Sequence, residues 1–432
     1  MPYNSTGRLP FERASRLGHL DVLNSDLVKK LCQNFEDSKV DVAIPSAEWE
    51  QMPTSAESLP IIFGVDGSLQ TIESETSPHK TIAFVKTALL RLDQYAIEQV
   101  DKHAPNPFAL RDLLQDAAIY HATVFPLRHV SIPGMTVYDA VRQIIFESFK
   151  DASLEGGVFE TLKWIVYEKW GSSHKSLPLF ECPNCGLSEA TLPYDAETGT
   201  CPKCNGSLFL TDMLGFHLEM STDAAPDAIA TAYMNIHETC LLFTGVRYFW
   251  ENNRQLLPGC LFVKDGPLSI RAQYSKIVAP IRRFLVYAQQ QGCPVHIIGQ
   301  EKTGSFVDHL QLIGKDAPIG YLFIPGSKYI ITNIQHRPYK GFPYGKDTNY
   351  GAKVFVKVND YHKMVLNIPT GSYREEPKSS DLIGFEKICS TIPRILSNRY
   401  EGALLPIELA HSIASLSTYP SAQILKIFAG LD

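Results

Sequence analysis

The sequence predicts an α/β fold: a mixed sheet flanked by helices, interrupted by an inserted helical segment and a small cysteine-bearing module. Three observations point to it. Two short β-rich runs each end in an aspartate–glycine pair, Ile61-Ile62-Phe63-Gly64-Val65-Asp66-Gly67-Ser68 and Leu261-Phe262-Val263-Lys264-Asp265-Gly266-Pro267-Leu268. Apolar residues recur at helical spacing between these runs and after the second. Four cysteines in two Cys-x-x-Cys pairs sit in a turn-rich stretch between them.

Taken in order, residues 1–57 read as a lead-in, with helical spacing at Asp26 to Leu31 and a loop from Pro45. Residues 58–107 hold the first acidic strand and a returning strand at Thr81 to Leu90, the first part of the core. Residues 108–175 read as a helical insertion, with apolar faces at Val141 to Phe149 and Phe159 to Trp170. Residues 176–212 form the cysteine module. Residues 213–432 form the second part of the core: a long helix over 224–256, the strand 260–264, and a helix over about 269–291. Strands then follow at Val295 to Gly299, Ile319 to Ile324, Ala352 to Val358 and Lys363 to Ile368, before two or three C-terminal helices. Alternating strands and helices of this kind assemble one α/β sheet.

The chain has 432 residues, 44% hydrophobic and 20% charged, with a formal net charge of −6. That balance argues against a basic coat but leaves room for a local nucleic-acid groove. No run of about 18 apolar residues indicates a membrane span. The N-terminus lacks a basic-then-apolar export pattern, so a cytoplasmic protein is expected. In a reducing compartment paired cysteines signal metal before disulfides. Cys182-Pro-Asn-Cys185 and Cys201-Pro-Lys-Cys204 supply four thiolates for one tetrahedral Zn²⁺, a filled and therefore structural site. Cys32, Cys240, Cys260, Cys293 and Cys389 read as small core residues.

An aspartate at the end of a buried strand, followed by glycine, exposes a carboxylate at a sheet edge. Two such carboxylates on neighbouring strands repel unless a divalent cation lies between them. Taken singly, Asp-Gly is also an ordinary turn dipeptide. Glu238, in the largely apolar stretch Tyr233 to Leu241, and His411, in Leu405 to Ser412, join Asp66 and Asp265 as candidates. Each alone would pass as a surface or satisfied core residue. Glu251 competes with Glu238, but lies among Asn252, Asn253 and Arg254 at an apparent helix end.

In this order the elements resemble the NurA nuclease family. The resemblance rests on Gly64-Val65-Asp66-Gly67-Ser68, the helical Glu238, Asp265-Gly266, a strand followed by Lys302, and the late Pro406-x-x-x-Ala410-His411. The lead-in Phe11 to His19 adds to it. The cysteine module departs from the shorter archaeal pattern and reads as an insertion, and Pro267 stands where serine is frequent. The resemblance implies a ribonuclease-H-like mixed sheet and a Mn²⁺- or Mg²⁺-dependent deoxyribonuclease that resects 5′ ends and cuts single strands. It also implies a homodimer docked on a HerA-type hexameric ATPase, in DNA repair or phage defence. Carried over, Asp66, Glu238, Asp265 and His411 are the metal ligands, with Asp66 bridging and Lys302 neutralising the scissile phosphate or positioning the attacking water. Two ions about 4 Å apart would serve an in-line displacement.

The interleaved stretch containing Arg337, Tyr339, Lys340, Phe342, Tyr344 and Lys346, together with Arg271, suggests phosphate contacts and base stacking on DNA. An exposed Pro/Gly loop is the plain alternative. Lys276, Arg282 and Arg283 line the groove or form a solvated helix face. No Gly-x-x-x-x-Gly-Lys-Ser/Thr motif occurs, so any translocating ATPase is a separate protein. The competing functions are a non-catalytic zinc-ribbon adaptor that binds DNA or a motor protein, and a ribonuclease-H-like enzyme on RNA or RNA–DNA hybrids.

Overall fold

A computed structural model describes residues 22–35, 47–93, 118–171, 176–222, 225–416 and 421–431. The chain divides into two units, residues 1–46 and 47–432. In the first, helix α1 (Asp26–Gln33) is capped by the Ser25 side chain, which accepts from the Val28 N–H, and buries none of its residues. Cys32 is exposed there, so the expectation that it is a core residue fails. The lead-in motif Phe11 to His19 lies outside the described residues.

Among its described residues the second unit has thirteen strands. In chain order they are β1 (Glu50–Gln51), β2 (Ile61–Glu73), β3 (Thr81–Asp93), β4 (Ala118–Arg128), β5 (Leu179–Phe180), β6 (Ala190–Thr191), β7 (Thr198–Thr200), β8 (Ser207–Phe209), β9 (Cys260–Asp265), β10 (His296–Glu301), β11 (Tyr321–Phe323), β12 (Ala352–Lys357) and β13 (Lys363–Ile368). Nine of them form one mixed sheet, ordered β1-β11-β12-β13-β10-β9-β2-β3-β4. The strands β2, β3 and β4 form an antiparallel meander, while β9 runs parallel to both β2 and β10.

The strand β4 departs from the sequence reading, which places helix from residue 108. Its residues pair with β3 from Leu90↔Ala118 to Thr81↔Arg128. The segment carries Tyr120, Thr123, Val124 and Phe125, which suit a pleated surface. Pro126 disguises it, since proline breaks a central strand, but β4 is an edge strand and tolerates the missing N–H. The inserted segment therefore begins by completing the sheet.

Helices cover both faces: α2 (Val137–Phe149), α3 (Gly157–Val166), α4 (Ala228–Asn252), α5 (Val278–Gln290), α6 (Ser305–Ile313), α7 (Phe385–Thr391), α8 (Leu405–Ala414) and α9 (Ser421–Phe428). Strand alternation divides the core accordingly. Phe63, Val65 and Phe262 face α2 to α5 in one cluster. Ile62, Leu261 and Val263 face Ile388 of α7 and Ile407 of α8 in another. The central helix α4 is apolar nearly all round because sheet, helices and cysteine module enclose it. Phe63 stacks on Phe262 across β2 and β9 at 4.8 Å, which fixes their register.

The four cysteines converge in a module built on β5 to β8, with their sulfurs all within 4.8 Å of one another. Both knuckles turn through a left-handed residue, Gly186 in the first and Asn205 in the second. Burial pushes the Cys201 thiol up, but the backbone N–H groups of Cys204 and Lys203 bring it down to about 6. The module does not stand alone as a staple. Cys182, Cys201 and Leu208 belong to the main core. Arg142 of α2 is buried and grips Asp212 with two bonds of 2.9 Å, and donates to the Ser207 carbonyl at 3.1 Å. Cys240, Cys260 and Cys389 are buried, and Cys293 is half-buried.

Candidate active site

The site sits where β9 ends beside the middle of β2, which runs on to Glu73. Their parallel register pairs Val65 with Lys264, so Asp66 and Asp265 follow at the same level. Asp66 is 2% exposed. One of its carboxylate oxygens accepts the Gly67 N–H at 2.7 Å; the other meets His411 Nδ1 at 2.8 Å. His411 comes from α8, which lies close to β2 because residue 64 is glycine: a Cβ there would overlap the carbonyl oxygen of Pro406.

Glu238 arrives from α4 on the other face and is 4% exposed. Gly67 admits it. A Cβ at Gly67 would lie 2.5 Å from Glu238 Oε1 and 2.7 Å from Met234 Cγ. Glu251, by contrast, is exposed and pairs loosely with Arg247 at 3.8 Å. Glu238 Oε2 accepts from Lys264 Nζ at 2.6 Å, and that ammonium also donates to the Asp265 carbonyl oxygen at 2.8 Å. Lys302, just past β10, reaches Asp265 Oδ1 at 3.0 Å.

The electrostatics are those of crowded negative charge. Burial, reinforced by Asp66 and Asp265, pushes the Glu238 carboxyl up to about 7 against the pull of Lys264. Asp265 is raised by burial and by Asp66, with Lys302 opposing. The His411 imidazole is raised by its hydrogen bond to Asp66. Burial depresses Lys264, but Glu238 more than offsets it, so the ammonium stays charged. Three oxygen donors and an imidazole nitrogen are the donor chemistry that Mn²⁺ accepts. Glu238 and Asp265 are meanwhile each held by a lysine, and Asp66 by the His411 ring. Among the described residues, only the cysteines draw three or more ligand atoms within 4.8 Å of one another.

Asp66, Glu238, Asp265, Lys302 and His411 all line one cleft of about 1350 Å³. Lys363, Arg399 and Tyr400 line it too, and sequence reasoning did not single them out. It also missed Lys264, read as one more residue of an apolar strand. The signal was there, since a lysine inside an otherwise apolar run beside an aspartate requires a buried partner.

The expected DNA-binding residues lie elsewhere. None of Arg271, Arg337, Tyr339, Lys340, Phe342, Tyr344 and Lys346 lines the cleft. Phe342 is 78% exposed. Tyr344 instead packs on Phe306, with ring centroids 5.7 Å apart. Tyr339 donates to Glu375. Arg282 holds the same loop by donating to the Lys346 carbonyl at 2.5 Å, and Arg283 pairs with Glu168. Lys276 donates to the Leu179 carbonyl at 2.8 Å. Among the described residues no helix is long and apolar enough to cross a membrane.

Two solved structures are similar to the chain. The crystal structure of the NurA nuclease from Sulfolobus solfataricus is 10% identical, with a TM-score of 0.36 over 97% of this chain and 96% of that one. A second crystal structure of NurA is 11% identical, with a TM-score of 0.28 over 96% of this chain and 95% of that one. Likeness this slight carries no argument for fold or activity. No protein-family model matches the chain, and no curated protein matches it.

Proposed function

We propose that this protein is a divalent-metal-dependent DNA nuclease with a ribonuclease-H-like core. The observation that carries the reading is the meeting of Asp66, Glu238, Asp265 and His411, from four separate elements, on the wall of one cleft. The strand order β4-β3-β2-β9-β10, an antiparallel meander followed by two parallel strands, supports the core assignment. The motif resemblance supplies the rest of the proposal: 5′-end resection and single-strand cutting, a homodimer, and a HerA-type ATPase partner in repair or phage defence. Zn²⁺ is assigned to the four cysteines as a structural ion.

Asp66, Asp265, Glu238 and His411 would hold Mn²⁺ or Mg²⁺. A bound divalent ion supplies Lewis acidity toward a phosphodiester and lowers the pKa of water. The chain does the positioning. Gly67 N–H and His411 fix the two oxygens of Asp66. His411, with Nδ1 engaged, offers Nε2. Lys302 is exposed enough to leave Asp265 and meet the scissile phosphate, while Lys363 and Arg399 attract the flanking backbone by charge. Tyr400 is half-exposed in the same cleft and offers a face for a base.

The test is cleavage of end-labelled single- and double-stranded DNA in Mn²⁺, Mg²⁺ or EDTA, with Asp66→Ala beside the wild type. Metal-dependent cutting that vanishes in the variant is expected. Matched RNA and hybrid substrates decide between this reading and a ribonuclease. One observation favours a non-catalytic adaptor: Glu238 and Asp265 each already have a lysine ammonium, and Asp66 has the His411 imidazole. That reading predicts DNA or motor binding with no cutting, even with the ATPase present.

A further inference from the structure

Lys264 is 1% exposed and stands inside the carboxylate cluster. Its ammonium lies 2.6 Å from Glu238 Oε2 and 2.8 Å from the Asp265 carbonyl oxygen, bridging α4 and β9. A divalent ion bound to Glu238 Oε2 on this side would stand about 2.0–2.6 Å from it, in the space the ammonium fills. Both cannot occupy the place. From the structure we infer that Lys264 is a resident cation that takes the position of a second metal, so that the cluster binds one divalent ion and not two. This deepens the nuclease reading and rests on it.

Charge balance agrees. Asp66, Glu238 and Asp265 with one phosphodiester carry four negative charges. Lys264, Lys302 and one divalent ion carry four positive ones. A second divalent ion would leave the partly buried cluster with two positive charges in excess, a state that the desolvated side of the site disfavours. The remaining donors, Asp66, Asp265 and His411, with Glu238 Oε1, suffice for a single ion. Lys264 does not reach substrate in this arrangement. It acts through Glu238, as a positioning residue.

The experiment is Mn²⁺ titration of the zinc-retaining full-length protein, followed by the paramagnetic resonance of free Mn²⁺. The wild type is expected to take up one equivalent. Lys264→Met, which keeps the length and removes the charge, is expected to take up two, with a cooperative melt showing that it folds. Two equivalents in the wild type would overturn the inference while leaving the nuclease reading intact. No uptake at all would sink both. A folded Lys264→Met variant that still takes one would show that the lysine is not what excludes the second ion. Should that variant not fold, the wild-type count decides alone.

Discussion

Replacing Gly67 with alanine tests whether the approach of α4 to the middle of β2 is what sets the cluster. The backbone at Gly67 is ordinary extended strand paired with Thr87, so alanine meets no conformational strain there. The whole effect comes from contact. The new methyl would stand 2.5 Å from Glu238 Oε1 and 2.7 Å from Met234 Cγ. An ordinary carbon–oxygen contact begins near 3.3 Å, so the carboxylate must retreat by about 0.8 Å. Met234 can swing aside, but Glu238 is tied to Lys264 and sits on a rigid helix. Overpacking of this kind costs about 1–3 kcal/mol of stability. Misplacing one catalytic group by about 1 Å costs on the order of 10²-fold in rate. The assay pairs a urea melt with the rate of Mn²⁺-dependent DNA cutting. The expected result is a fold largely intact and a rate down by about two orders of magnitude. An alanine variant with the wild-type rate would refute the claim that Glu238 acts from this position.

Further expectations concern charge and metal. Because the folded pKa of Glu238 is raised to about 7, its protonated form favours folding, fully below the unfolded value of 4.5 and progressively less as pH rises through 7. Protein without added divalent ions should therefore lose up to about 3 kcal/mol between pH 5 and 8, and Glu238→Gln should flatten that profile in chemical melts. Arg142→Leu leaves Asp212 buried without its partner and should lower stability by about 3–5 kcal/mol, read by denaturant midpoint. Cys201→Ser removes one thiolate; bound zinc, counted by elemental analysis, should fall below one equivalent and the melting temperature should drop. Arg399→Ala should weaken DNA binding uniformly across sequences and reduce the salt slope by about one, whereas Arg337→Ala should leave both unchanged.

The frame was legible where residues act locally. β9, β12 and β13 are apolar runs bounded by turns, and α4 is long enough to declare itself. The cysteine knuckles carry their spacing on the surface of the sequence. What escaped depends on neighbours far along the chain. The strand β4 looked helical because an edge position, which excuses Pro126, cannot be known before the sheet is assembled. Lys264 passed as one more residue of an apolar run until α4 brought Glu238 beside it. In the loop at 337–346, whose composition suggests DNA contacts, Tyr344 packs on Phe306 and Arg282 ties the loop to α5, neither of which composition declares. Composition reports what a segment can touch, and only topology reports what it does touch.

Asp66 and His411 touch across a sequence separation of 345 residues, with Glu238 and Asp265 drawn from the stretch between. A chain still emerging from the ribosome holds the early carboxylates long before it holds the imidazole. Whatever chemistry the cleft performs must wait until α8 has been synthesised. The arrangement thus acts as an interlock in time: the cleft is complete only when α8 has docked against β2.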